Sequence, residues 1–136
     1  MVVRSFQPPD EAAVVALWAR CDLVRPWNDP RKDIARKMQV DPDLFLVGAL
    51  EGEIVAVVMA GYEGHRGWIN YLGVIPDLRR RGVGRLLMQE AEIRLRERGC
   101  PKINLQVRTS NKEVIEFYKR IGYIEDAVVS YSKRLG

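Results

Sequence analysis

The most informative stretch of this sequence is Val74-Ile75-Pro76-Asp77-Leu78-Arg79-Arg80-Arg81-Gly82-Val83-Gly84-Arg85. A predicted strand ends at its start, and a loop with two glycines leads into the strongest predicted helix, residues 80–98. Glycine lets the backbone approach a ligand closely because no Cβ intervenes, and the first N–H groups of a helix have no partner within it. The stretch therefore predicts a cradle for a pyrophosphate group, with positive charge added by Arg79, Arg80, Arg81 and Arg85.

Two common phosphate-binding motifs are missing from this stretch. No Gly-Lys-Ser/Thr follows, so the hydroxyl that binds Mg²⁺ in a nucleotide P-loop is absent. The GxGxxG spacing of the dinucleotide fingerprint is absent as well. A solvated basic helix start with a tight turn is the alternative interpretation, and the stretch alone leaves both open.

Hydrophobic patterning on either side of the stretch predicts one layered fold. Upstream, a strand at residues 68–74 follows a hairpin of two apolar strands, residues 44–50 and 54–62. A strand and two helices are predicted before the hairpin, and a strand, a helix and a last strand within residues 123–133 are predicted after residue 98. The order β-α-α-β-β-β-α-β-α-β indicates an α/β or α+β fold with one mixed sheet, because a strand–helix–strand crossover follows an antiparallel meander.

Composition limits the class of protein. Of the 136 residues, 47% are hydrophobic and 29% are charged, so the chain can bury a core and is not a disordered tail. A net charge of +4 allows a phosphate-bearing partner without demanding one. Only two cysteines predict a reducing compartment, and one histidine cannot build a metal site alone. With no repeat, linker, signal peptide or membrane-length apolar run, we expect a single domain over residues 1–136 in the cytoplasm.

A second segment, Asn111-Lys112-Glu113-Val114-Ile115-Glu116-Phe117-Tyr118-Lys119-Arg120-Ile121-Gly122-Tyr123, adds to the phosphate-binding interpretation. Together the two segments resemble the GNAT superfamily of acetyl-CoA-dependent N-acetyltransferases. The family's Arg/Gln-x-x-Gly-x-Gly/Ala motif is matched by Arg79, Gly82 and Gly84. Its later Asn, Ala/Val-x-x-Phe-Tyr and Gly-Phe/Tyr motif is matched by Asn111, Val114, Phe117, Tyr118, Gly122 and Tyr123.

The resemblance covers essentially the full chain and sets expectations for the fold. It implies a single GNAT-type domain with a mixed, mostly antiparallel sheet of roughly six to seven strands, flanked by about four helices. Some stretches, such as Arg98-Gly99-Cys100-Pro101-Lys102-Ile103, look closer still to the small bacterial YpeA-type acetyltransferases.

The resemblance implies acetyl-CoA as the co-substrate and no metal. The backbone of Leu72, Gly73 and Val74 would pair with the pantetheine arm as an added strand does, and a bulge there would open a slot for the thioester. The pyrophosphate would bind along the backbone of the loop and helix start, at Arg79, Arg80, Arg81, Gly82, Val83, Gly84 and Arg85. Asn111 would hydrogen-bond to the pantetheine, although helix capping alone also explains an Asn at this position.

The resemblance also implies catalytic roles. Tyr118 would donate its proton to the thiolate that leaves when an amine attacks the thioester; the alternative is a Tyr packed between a helix and the sheet. The Glu base of many family members is absent, because Trp68 lies near its position. Glu63 and His65 could instead deprotonate an ammonium through water, or they could be ordinary turn residues in solvent.

The predicted reaction is direct transfer of acetyl from acetyl-CoA to a primary amine in a ternary complex. The acceptor could be a small molecule, a peptide N-terminus or a lysine, and Asp29 could pair with a cationic acceptor or cap a helix. One alternative is a non-catalytic acyl-CoA sensor on the same fold, because the usual Glu is missing. Another is a nucleic-acid-binding module built on the arginines. No recognition helix or base-stacking strand accompanies them, so we do not expect nucleic acid as a partner. We do not expect a membrane either, because no apolar run is long enough to cross one. Homodimers are an outcome that the resemblance allows.

Overall fold

The computed structural model describes all 136 residues and divides them into two compact units, Met1–Gln106 and Val107–Gly136. The first unit contains all of the strands and three of the four α-helices. The second unit contains the last helix, α4 (Lys112–Arg120). None of the helices combines the length and the apolar character that crossing a membrane requires.

The first unit is built on one mixed sheet whose strands lie side by side in chain order. They are β1 (Val2–Ser5), β2 (Phe45–Leu50), β3 (Glu53–Tyr62), β4 (Gly67–Val74) and β5 (Ile103–Leu105). The first four pair antiparallel, whereas β5 lies parallel to β4. A parallel pair needs a crossover connection, which the helix α3 (Val83–Glu97) supplies. The predicted α/β fold with a mixed, mostly antiparallel sheet is confirmed.

The predicted number of strands is wrong, because the sheet has five strands rather than six or seven. No strand forms within residues 123–133, where one was predicted. Apolar side chains there are exposed, with Ile124 at 86% and Tyr131 at 91% of full exposure. Strand propensity takes effect only where a neighbouring strand offers pairing and packing, and the second unit contains no other strand.

Two helices, α1 (Glu11–Arg20) and α2 (Pro30–Lys37), cover one face of the sheet. Val14, Leu17 and Trp18 of α1 are buried in one cluster with side chains of α2 and the sheet. The second helix begins at Pro30. It begins there because the Asp29 carboxylate accepts hydrogen bonds from the N–H groups of Arg31 and Lys32 at 3.1 and 3.3 Å. The capping alternative for Asp29 is confirmed.

The third helix covers the opposite face of the sheet. A Cβ on Gly48 would lie 3.0 Å from Leu87 of α3, whereas its neighbour Val47 packs in the α1 cluster. Successive residues of a strand point to opposite faces, so α1 and α3 lie on different sides. The helix starts at Val83 rather than at residue 80, because the backbone of Arg80 (φ +64°) and of Gly82 (φ +82°) is left-handed.

Candidate cofactor-binding and catalytic site

The second half of β4 has one edge without a strand partner. On one side, β5 pairs only with Gly67, Trp68 and Ile69. On the other side, β3 pairs with β4 as far as Val74. Within the first unit, the backbone N–H and C=O groups on the β5 side of residues 70–74 therefore have no neighbouring strand with which to form sheet hydrogen bonds. We call this side of residues 70–74 the open edge. An extended ligand can add to such an edge through main-chain hydrogen bonds.

A bulge lies where the pairing with β5 stops. Met59 of β3 pairs with Asn70, and Val57 pairs with Gly73, so two residues, Tyr71 and Leu72, lie opposite a single residue of β3. Tyr71 has φ +55°, a left-handed conformation that is uncommon for a residue with a bulky side chain. The bulge expected near this strand is confirmed.

The bulge also changes the face of the sheet to which side-chain positions in the second half of β4 point. A Cβ on Gly67 would lie 3.4 Å from Leu95 of α3, whereas a Cβ on Gly73 would lie 3.0 Å from Leu17 of α1. Residues 67 and 73 would share a face in a regular strand, since side chains alternate with a period of two. Gly73 therefore lets α1 pack closely on the strand.

Tyr71 is held by three contacts that the sequence did not reveal. Its ring stacks on Trp18, with the ring centroids 4.2 Å apart, and its carbonyl accepts a hydrogen bond from the Trp18 indole N–H at 3.2 Å. Its hydroxyl donates to the carboxylate of Asp33 at 2.7 Å. Burial and this hydrogen bond raise the pKa of the Tyr71 phenol. Alternation along a regular strand would place the Tyr71 side chain on the face opposite to Trp18, so these contacts could not be predicted from the sequence pattern.

The segment that joins β4 to α3 ends in residues 79–82, which we call the entry loop. After a turn of 3₁₀ helix at Pro76–Leu78, Arg79 is extended and Gly82 caps α3 in the left-handed conformation. No side chain caps the first turn of α3, and the first hydrogen bond to the Gly82 carbonyl comes from the N–H of Leu86. The N–H groups of Val83, Gly84 and Arg85 precede that bond and are free to bind an anion.

The charges around the entry loop fall into two kinds. The Arg79 guanidinium donates from Nε to the carbonyl of Val74 at 3.2 Å, which ties the loop back to the end of β4. The other three arginines, Arg80, Arg81 and Arg85, are exposed and form no ion pair with a carboxylate. Unneutralised cations beside the positive end of a helix dipole favour an anionic ligand.

Tyr118 lies in α4 (Lys112–Arg120) of the second unit, and its side chain is buried. Its ring meets the rings of Phe117 and Tyr123 edge-on, with centroids 5.1 and 5.6 Å away. Burial raises the pKa of the Tyr118 phenol, because a phenolate would lose its hydration. The hydroxyl therefore keeps its proton at neutral pH and can act as a hydrogen-bond donor.

Asn111 precedes α4 and caps it. Its side-chain oxygen accepts a hydrogen bond from the N–H of Val114 at 3.3 Å, so the capping alternative is confirmed. The cap uses the amide oxygen alone and leaves the side-chain NH₂ group as a donor. Capping and ligand binding by this residue are therefore compatible.

Glu63 and His65 lie in the turn between β3 and β4, residues 63–66. The Glu63 carboxylate accepts hydrogen bonds from the backbone N–H groups of Arg66 and of His65, the latter at 2.9 Å. These two bonds lower the pKa of the Glu63 carboxyl and hold it in its ionised form. The turn lies at the start of β4, and four residues of strand place Gly67 about 13 Å from the bulge at Tyr71. The two hydrogen bonds give Glu63 a structural role in this turn, which lies at the opposite end of β4 from residues 72–74.

A family model described as the acetyltransferase (GNAT) family matches residues 12–123, which run from α1 to just past α4 and include both motif segments. This chain belongs to the GNAT acetyltransferase family. It is therefore an N-acetyltransferase enzyme. No group of three or more His, Cys, Asp or Glu side chains is arranged to hold a metal ion.

Individual GNAT proteins are similar to this enzyme over nearly its full length. An acetyltransferase of Sodalis glossinidius (strain morsitans) is 52% identical over 136 residues, which cover 99% of this chain and 96% of that protein. The structure of Ard1 from Thermoplasma volcanium is 25% identical with a TM-score of 0.79, covering 93% of this chain and 84% of that one. Naa20 from Chaetomium thermophilum, solved in complex with a bisubstrate analogue, is 27% identical with a TM-score of 0.72, covering 90% and 70%.

Proposed function

We propose that this enzyme moves an acetyl group from acetyl-CoA to a primary amine by direct attack within a ternary complex. The observation that carries the proposal is the continuity of two binding features. The open edge of β4 ends at Val74, and the uncapped start of α3 follows nine residues later at Val83. One feature suits an extended amide-containing arm and the other suits a diphosphate, and both groups occur in coenzyme A.

The cofactor-binding roles follow from these two features. The backbone of Leu72, Gly73 and Val74 would pair with the pantetheine arm, and the N–H groups of Gly82, Val83, Gly84 and Arg85 would surround the diphosphate. Arg80, Arg81 and Arg85 supply charge to the diphosphate, whereas Arg79 shapes the loop through its bond to Val74. The Asn111 side-chain NH₂ group is proposed as a donor to the pantetheine arm. Acetyl-CoA itself supplies the activated acetyl thioester.

Tyr118 is proposed as the acid toward the leaving sulfur. Its raised pKa keeps the hydroxyl protonated across the neutral range. The same shift makes complete proton transfer unfavourable against a thiol, whose reference pKa is about 8.5. A hydrogen bond from the phenol to the developing thiolate is therefore the main stabilising contribution.

Amine deprotonation is proposed to use water and backbone carbonyls rather than one dedicated side chain. β4 contains no carboxylate, and Glu63 is engaged by two backbone N–H groups at the far end of the strand. A base that acts at the thioester must reach the amine directly or through one water. We therefore assign Glu63 and His65 no direct role at the attacking nitrogen.

Release of free thiol during incubation with acetyl-CoA and a panel of amines tests the reaction. The panel should contain small diamines, peptides with a free N-terminus and lysine-containing peptides. We expect thiol release above the rate of spontaneous hydrolysis with at least one class. Binding of acetyl-CoA without turnover on any amine would instead favour the acyl-CoA sensor. The acceptor, the YpeA-type assignment, a homodimer and a cytoplasmic location stay predictions.

The variant Tyr118→Phe tests the catalytic role. We expect kcat to fall by about 100-fold, a typical contribution of one positioned acid, with the Kd for coenzyme A unchanged in calorimetry. Tyr131→Phe is the matched control, because Tyr131 lies in the same unit and is exposed. Full turnover by Tyr118→Phe would remove the phenol from the mechanism and leave the binding proposal intact.

A further inference from the structure

We propose that Trp18 and Tyr71 are positioning residues that fix the orientation of the Tyr71–Leu72 peptide on the open edge of β4. The inference rests on the proposed function in one respect, namely that the pantetheine arm of coenzyme A lies along this edge. It adds Trp18 of α1 and the side chain of Tyr71, which is bonded to Asp33 of α2, to the machinery that binds the co-substrate.

Contacts from outside the sheet hold Tyr71 in an unusual backbone conformation. A left-handed backbone at a non-glycine residue is unfavourable and persists only where surrounding contacts fix it. Tyr71 has φ +55°, and three contacts reach it from outside the sheet: the stack on Trp18, the indole hydrogen bond to its carbonyl and the hydroxyl bond to Asp33. The bulge therefore depends on helices α1 and α2 as well as on pairing with β3.

The Trp18 indole fixes the orientation of the Tyr71–Leu72 peptide plane. The structure has no cis peptide bonds, so the carbonyl of Tyr71 and the N–H of Leu72 point in opposite directions from one planar unit. The Trp18 indole holds that carbonyl toward α1 at 3.2 Å. The N–H of Leu72 must therefore point away from α1. A rotation of this peptide would change the donors and acceptors that the edge presents to an extended ligand.

The two side chains that bond to Tyr71, those of Trp18 and Asp33, are themselves held in place. Trp18 is fully buried. Asp33 lies in the first turn of α2, where its other carboxylate oxygen accepts from Arg36 at 2.7 Å. The last residue of α2, Lys37, is buried and donates from Nζ to the carbonyl of Ala60 in β3. Both helices are thus fixed to the sheet. The Trp18 indole and the Asp33 carboxylate, which bond to Tyr71, are therefore held in defined positions.

Two variants, Trp18→Phe and Tyr71→Phe, distinguish a packing role of these side chains from a positioning role. Phenylalanine keeps an apolar aromatic ring at either position, although it is smaller than the buried indole of Trp18. Trp18→Phe keeps an aromatic ring in the stack and removes the indole N–H, whereas Tyr71→Phe keeps the ring and removes the bond to Asp33. Each variant removes one polar contact to the bulge, and neither touches the entry loop.

Calorimetric titration with two ligands tests the inference. Coenzyme A carries the pantetheine arm, and 3′-phosphoadenosine 5′-diphosphate is its nucleotide half without the arm. We expect the Kd for coenzyme A to rise ~3- to ~10-fold in Trp18→Phe and in Tyr71→Phe, the range that one lost hydrogen bond gives. The Kd for the nucleotide probe should stay within ~2-fold, because the entry loop is intact.

Val47→Ala is the matched control, since Val47 is fully buried in the same cluster but belongs to β2. It should lower the thermal midpoint and leave both Kd values unchanged. Equal weakening of both ligands, or no weakening of either, would overturn the inference. If Trp18→Phe does not fold, Tyr71→Phe decides the question alone. Failure of the unmodified enzyme to bind coenzyme A would instead remove the proposed function, so the two failures are distinguishable.

Discussion

Two glycine-containing turns at opposite ends of β4 use similar residues in different ways. In the turn at residues 63–66, the Glu63 carboxylate accepts two backbone N–H groups, and the Arg66 guanidinium donates to the carbonyl of His65 at 2.9 Å. In the entry loop, no side chain caps the helix, and Arg80 and Arg81 have no carboxylate partner. A turn whose polar groups bond to one another needs no ligand to satisfy them. A turn that leaves N–H groups and cations unpaired is suited to an anionic ligand.

Charge reversal gives the largest expected contrast between the two turns. The double variant Arg80→Glu with Arg81→Glu should raise the KM for acetyl-CoA by about 100-fold, because two charge-assisted bonds are replaced by repulsion. Arg66→Glu introduces a negative charge into the other turn and should leave the KM unchanged. Steady-state kinetics measures both. An equal rise in the two proteins would mean that general surface charge, and not the entry loop, attracts the co-substrate.

Alanine at the two glycines gives the next largest contrast. Gly82 (φ +82°) and Gly64 (φ +101°) are both left-handed, and a Cβ at either position would meet no other atom within 4 Å. Backbone strain should therefore lower the free energy of unfolding by about 1 kcal/mol in both Gly82→Ala and Gly64→Ala. Only Gly82→Ala should weaken coenzyme A binding, by about 10-fold, since it disturbs the N–H groups at the start of α3. Urea unfolding and calorimetry measure the two effects, and weaker binding by Gly64→Ala would contradict the contrast.

Glu63→Gln should have the smallest effect, a small change in the stability of the folded protein with no change in activity. The pKa of the Glu63 carboxyl is lower in the folded protein than in an unfolded chain. Its contribution to stability is therefore present above the unfolded pKa and is lost as pH falls through the folded value. The variant should be slightly less stable at pH 7 and should lose less stability on acidification than the unmodified protein.

The pH dependence of kcat in Glu63→Gln separates this structural role from a catalytic one. We expect the profile to be unchanged, because the carboxylate serves the turn. A profile that loses its acidic limb in Glu63→Gln would restore Glu63 as a base. Thermal unfolding across the acidic pH range provides the stability measurement on the same protein.

The features that could be predicted from the sequence are those set by local rules. Glycines followed by an amphipathic run specify a loop and a helix start wherever they occur, so the entry loop and α3 were predictable to within a few residues. The hairpin at residues 51–52 was predictable for the same reason, because Glu51 and Gly52 both adopt positive φ in a tight turn.

The features that the sequence missed depend on partners far away in the chain. Alternation assigns Tyr71 to the α3 face, and only a bulge, fixed by Trp18 and Asp33, turns it toward α1. The strand expected within residues 123–133 has the right residues but no pairing strand in its unit. Register shifts and missing partners leave no local signature in the sequence, so local patterns cannot predict them.

The central claim is that the open edge of β4 and the start of α3 bind coenzyme A while the turn at residues 63–66 does not. An NMR titration of the ¹⁵N-labelled enzyme with coenzyme A measures this at each backbone N–H group. We predict saturable shifts for Val83, Gly84 and Arg85 together with Leu72 to Val74, and none for Gly64 to Arg66. Shifts confined to the β3–β4 turn, or no shift at millimolar ligand, would contradict the account.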